Sequence, residues 1–141
     1  MFKSIKAGLI VMLLAAGAAQ AAPDDMTPQL RAKAQQAIDA GVKFLRSKQG
    51  PDGSVLGSTG LTALSLSSIL QNPAGADKVD KAVIAKYAGF LASKANADGS
   101  IVERAHDQSY NTAVAITALA ETKDPKYAPL IAAGQKYIAS A

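Results

Sequence analysis

The chain has 141 residues, of which 49% are hydrophobic, 18% charged and only 5% aromatic. That balance suits one ordinary domain and excludes intrinsic disorder. Thirty alanines supply much of the apolar content and neither Trp nor Cys is present, which excludes disulfide scaffolds, cysteine zinc sites, thiolate nucleophiles and iron–sulfur clusters.

At the start, Lys3 and Lys6 precede an apolar run from Ala7 to Ala19, and Ala19-Gln20-Ala21 has the small-x-small pattern of a signal-peptidase site. These features predict a signal peptide over residues 1–21, a mature domain over 22–141, and export to the periplasm or the exterior. The 13 residues of the apolar run fall short of the roughly 20 that a spanning helix needs, so no permanent membrane anchor is expected. Without the two leader lysines, 13 basic residues face 11 acidic ones, which removes the main support for nucleic-acid binding.

The first helix is predicted to start at Thr27-Pro28, a capping residue followed by a first-turn proline, and to carry Leu30, Ala34, Ile38, Gly41 and Leu45 at three- and four-residue steps. Gly50-Pro51-Asp52-Gly53 ends it. A second helix starts near Ser58 or Thr59, with Leu61, Leu64, Leu66, Ile69 and Leu70 separated by Ala and Ser, and closes at Asn72-Pro73-Ala74-Gly75. Because it is apolar or small on nearly every face, it is expected to be enclosed by other helices. A third, from about Asp77 to Lys94, is amphipathic, with Val79, Val83, Tyr87, Phe90 and Leu91 on one side. The fourth, from about Ser109 to Glu121, is again apolar nearly all round, and Asp124-Pro125 opens a fifth with Tyr127, Leu130, Ile131, Gly134 and Tyr137.

These elements belong to an internal repeat. The segment from Phe44-Leu45 through Ser47-Lys48 and Asp52-Gly53-Ser54 to Val55 recurs 46 positions later as Phe90-Leu91, Ser93-Lys94, Asp98-Gly99-Ser100 and Ile101. Thr62-Ala63-Leu64 returns 50 positions later as Thr112-Ala113-Val114, and Tyr137-Ile138 opens a third copy. The chain thus reads as all-α, about two and a half helical hairpins in which half-polar outer helices alternate with apolar inner ones. Such hairpins cannot cover their own apolar surface and must stack side by side. The Asp-Gly corners are expected to hold positive backbone angles, and Phe44, Phe90 and Tyr137 to act as packing anchors.

The run Phe44-Leu45, three residues, Gln49, three residues, Gly53, one residue, Val55 resembles the QW repeat of the terpenoid cyclase and protein prenyltransferase superfamily, with Val55 and Ile101 where that repeat usually has Trp. In the second copy Ala95 replaces the glutamine. The resemblance covers about residues 30–141. It implies an α/α toroid, here a partial ring, with a central apolar cavity and chemistry at the starts of the inner helices.

The reactions of that superfamily do not follow. Squalene-hopene-type cyclases carry an Asp-rich motif before Thr-Ala, because protonating an alkene takes a strong acid. Here the aligned run is Gln108-Ser109-Tyr110-Asn111-Thr112-Ala113, with no carboxyl group. A phenol whose ordinary pKa is about 10 is a poor alkene protonator. The zinc site of the prenyltransferases needs a cysteine, and His106 is the sole histidine. Glu103, Arg104, His106 and Asp107 crowd one loop, which reads as a solvated connector or, in the manner of toroidal pectate lyases, as a metal or sugar contact. Nucleophile elbows and glycine-rich phosphate loops are absent from the sequence. The Asp-Gly pairs lack the further oxygen ligands of a calcium loop.

The expectation is therefore a noncatalytic exported module with no cofactor, no catalytic residue and no metal. Its inner face would bind an apolar or isoprenoid-like ligand, a partner, or another copy through uncovered inner helices. Tyr110, Asn111, Thr112, Thr62 and His106 are the candidates for the mouth of the cavity. Two enzyme readings stand beside it: the first part of a cyclase whose acid motif lies in further hairpins, and a polysaccharide-active toroid. The sequence stops inside the third copy, before any third Asp-Gly corner, so a truncated reading frame is one expectation.

Overall fold

The computed structural model describes residues 26–73, 79–104 and 107–140. Within them lie helices α1 (Pro28–Ser47), α2 (Thr59–Leu70), α3 (Lys81–Ser93), α4 (Gln108–Glu121) and α5 (Ala128–Ser140), with a single 3-10 turn at Pro125–Tyr127. No strand occurs among the described residues; isolated antiparallel bridges join Gln49 to Val55, Val55 to Ser58 and Ala95 to Ile101 at the corners. The fold is all-helical, as expected. The predicted leader and His106 lie outside the described residues.

Local chemistry sets most helix starts. The Thr27 side chain accepts from the Leu30 N–H at 3.2 Å, with Pro28 at the first helical position, where its missing N–H is harmless. Ser58 is the N-cap of α2. The expected start at about Asp77 lies outside the described residues; α3 begins at Lys81, where the Asp80 carboxylate accepts from the Ala82 N–H at 2.8 Å and caps the helix. Asp124 caps the 3-10 turn that precedes α5.

α2 and α4 run side by side and parallel. At one end a Cβ on Gly60 would lie 2.6 Å from Asn111 Oδ1; at the other, Gln71 donates to the Glu121 carboxylate. Gly60 therefore lets the two helix starts approach closely. α1 lies antiparallel to α2, since Gln35 near its start bonds Asn72 just past the end of α2. α5 is antiparallel to α4: Tyr137 Oη donates to Gln108 Oε1 at 3.0 Å, and Gly134 sits against Ile116 and Thr112.

Leu66 and Ile69 of α2, Tyr87 and Leu91 of α3, Ala115 and Leu119 of α4, and Ile101 from the second corner are fully buried and make one core. Burying each large side chain contributes about 1.5–3 kcal/mol. Tyr87 Oη donates to the Leu45 carbonyl at 3.0 Å, which ties α3 to α1, and burial pushes its phenol above the ordinary value.

Two packing expectations need correction. α2 and α4 are not enclosed on every side, since Leu61 and Leu64 of α2 are each about half exposed and Tyr110, Thr117 and Ala120 of α4 are exposed. Phe44 is no packing anchor: it is 59% exposed against 5% for its repeat partner Phe90. Each ring has the lysine four residues on over its face, Lys48 and Lys94 respectively, but only Phe90 also has neighbouring hairpins around it.

Candidate functional site

The two corners are built alike, atom for atom. Asp52 Oδ1 accepts from the Ser54 N–H at 3.0 Å and from its hydroxyl at 2.8 Å; Asp98 does the same for Ser100 at 2.9 and 2.7 Å. These bonds hold both carboxyls below the ordinary carboxylate range. Gly53 and Gly99 take φ of +87° and +92°, which only glycine adopts without strain. The carboxylates thus serve as turn acceptors. Among the described residues no group of three Asp, Glu, His or Cys side chains could hold a metal.

Each corner is then locked to the inner helix that follows it. Thr62 Oγ1 accepts from the Val55 N–H at 2.9 Å, and Thr112 Oγ1 accepts from the Ile101 N–H at 3.0 Å. Both threonines are fully buried. Thr62 also donates to the Ser58 carbonyl. Their hydroxyls face the corner, where they satisfy backbone groups that burial would otherwise leave unpaired.

Tyr110 and Asn111 are brought together at the start of α4, beside Gly60 of α2. Tyr110 is 56% exposed. Asn111 is half-buried, with its amide against Gly60. Of the five candidates, these two lie at an open surface, and Thr62 and Thr112 lie beneath it.

Three further residues define the site. Leu61 and Leu64, one turn apart on α2, are 46% and 45% exposed. Below them a groove of about 370 Å³ runs between α2 and α4, lined by Leu64, Ser67, Ser68, Ala113, Val114 and Thr117. The Gln71–Glu121 hydrogen bond marks its lower end. The third residue, Glu103, leaves its own hairpin to accept from the Thr59 N–H at 3.0 Å, capping α2 of the hairpin before. Burial raises the Glu103 carboxyl, but hydrogen bonding from Thr59 outweighs it, and the group sits below the ordinary range. An ionised carboxylate already bonded to a helix start is an acceptor, not a proton donor.

The i, i+3 spacing of Leu61 and Leu64 was visible in the sequence, but periodicity places such residues on one face without saying whether that face is covered. Glu103 had no local signal, since its partner is 44 positions away. The described part of the site offers an apolar strip, two hydroxyl-bearing serines and an amide–phenol rim. No protein-family model, curated protein or solved structure matches the chain. No helix among the described residues is long and apolar enough to cross a membrane.

Proposed function

We propose that the chain is an exported helical-repeat module, an open piece of an α/α-toroid-type wall, that binds a long apolar, isoprenoid-like molecule along the paired face of α2 and α4 without transforming it. The observation that carries this reading is the exposure of Leu61, Leu64 and Tyr110 on two helices whose other sides form the core. Exposed apolar side chains gathered along a groove gain by being covered, at about 25 cal/mol per Å². The likeness of the corners to the QW repeat supports the toroidal arrangement. The Gln-Ser-Tyr-Asn run at the start of α4, where a cyclase has carboxyl groups, supports binding over catalysis.

Titration of the purified chain with a fluorescent polyene fatty acid tests this. Saturable binding is expected, with at least a tenfold loss in Leu64→Asp, whose carboxylate would have to be desolvated under the ligand. Binding untouched by Leu64→Asp would overturn the reading. A chain that sizes as an oligomer and takes up the probe only on dissociation would assign the face to a second copy. Incubation with squalene separates the enzyme reading, since a cyclised product would replace binding by catalysis.

A further inference from the structure

The outer face of α1 is a second apolar strip, remote from the groove. α1 places Ala34, Ile38, Val42 and Leu45 toward the protein, yet none of its residues is buried. Leu30, Ala37 and Phe44 recur every seven residues, a spacing that keeps them within about 40° of one line along the helix. All three are exposed, Leu30 to 53% and Phe44 to 59%, and Gly41 beside them has nothing within 4 Å of where a Cβ would stand.

Charge decides what fits there. From Pro28 to Lys48 the chain carries Arg31, Lys33, Lys43, Arg46 and Lys48 against Asp39 alone. The other described residues hold seven cations and seven anions. The excess of positive charge in the described structure is therefore concentrated on α1 and its C-cap Lys48, beside an uncovered apolar line. A second copy pairing symmetrically would bring another cationic α1 to that line, and like charges would repel, so it is poorly matched. A surface that is both anionic and apolar beneath is well matched, and an amphipathic helix of mixed Leu, Phe and Lys/Arg composition lies at such a surface with its cations among the headgroups. Lys48 already stands 5.1 Å from the Phe44 ring centroid, placing a cation directly beside the apolar line.

We propose that α1 docks this protein on anionic lipid bilayers, with Leu30 and Phe44 entering the headgroup boundary and the cations of this segment, Lys33 and Lys48 nearest the apolar line, drawn to lipid phosphates. This surface is independent of the groove between α2 and α4. The chain contains no Trp, so Phe44→Trp is a unique reporter. With full-length protein and vesicles of phosphatidylglycerol and phosphatidylcholine, the Trp emission of Phe44→Trp is expected to shift to the blue and to be quenched by brominated acyl chains. Leu30→Trp, a second reporter, should behave the same way. Pure phosphatidylcholine or 0.5 M salt should weaken the partition by about tenfold or more, as should Lys33→Glu with Lys43→Glu, given about fivefold per cation near an anionic surface. The proposal fails if the emission of Phe44→Trp stays water-like on the vesicles, if that of Leu64→Trp shifts in its place, or if the charge-reversed variant partitions as well as its parent. It also fails if the emission of Phe44→Trp shifts with protein concentration alone while the chain sizes as a dimer, which would give the strip to a second copy.

Discussion

Gly53 stands so close to the backbone of Lys86 that a Cβ on it would lie 2.2 Å from the Lys86 carbonyl oxygen, and Gly99 repeats this against Ala133 at 2.5 Å. Each Asp-Gly corner therefore seats on the outer helix of the next hairpin. The corner does two things with one residue: it turns the chain and it joins neighbouring units. Gln49 reinforces the first joint by donating to the Val83 carbonyl at 3.2 Å. Ala95 has no side chain to do this at the second.

Gly53→Ala and Gly99→Ala should each cost about 2–4 kcal/mol, because a positive φ is combined with a steric clash against backbone that cannot move aside. Gly41→Ala is the control. It lies in a helix with open space around it, so helix propensity should make it neutral or up to about 1 kcal/mol stabilising. Urea unfolding followed by circular dichroism checks all three.

Thr62→Val and Thr112→Val should each cost about 1–3 kcal/mol, since the shape is kept while a buried N–H at Val55 or Ile101 loses its acceptor. Thr→Ser at either site should recover most of that. If these threonines touched ligand instead, the valine variants would lose probe binding while keeping their unfolding midpoints.

Acid should unfold the protein partly through its corners. The Asp52, Asp98 and Glu103 carboxyls lie lower in the folded chain than in the unfolded one. Their contribution is then full above the unfolded carboxylate range near pH 4 and is lost as pH falls through the lower folded values. Stability measured from pH 6 down to pH 2 should decline, and Asp52→Asn with Asp98→Asn should flatten the decline. An unchanged slope in the double variant would show that the turn carboxylates are not responsible.

Glu103→Ala should cost about 0.5–2 kcal/mol by uncapping α2 from a distance, and Glu103→Gln, which keeps an acceptor, should cost less. Because the cap spans two hairpins, amide exchange should quicken at the start of α2 in the alanine variant. Exchange that quickens only around Glu103 itself would break that link.

The residues whose partners are near in sequence are legible from the sequence itself. Thr27 with Pro28, Ser58, and the paired Asp-Gly-Ser corners specify helix starts and turns through bonds that reach two to four residues, and the repeat announces that the same unit is built twice. Helix identity and order follow from periodicity in the same way. The hydrophobic pattern begins before Asp80, so periodicity alone puts the start of α3 too early; the capping aspartate sets it.

Tertiary structure alone decided which apolar faces meet a neighbour. Phe44 and Phe90 occupy the same position in the repeat, yet only Phe90 lies between hairpins, so one is covered and the other is not. Leu61 and Leu66 read alike in sequence, and packing buries one and leaves the other half exposed. Thr62 and Thr112 point their hydroxyls at the corner, and Glu103 reaches Thr59 across 44 positions. Local sequence sets backbone conformation because its bonds are short-range. Exposure and long-range capping depend on what the rest of the chain places alongside, which no window of sequence contains.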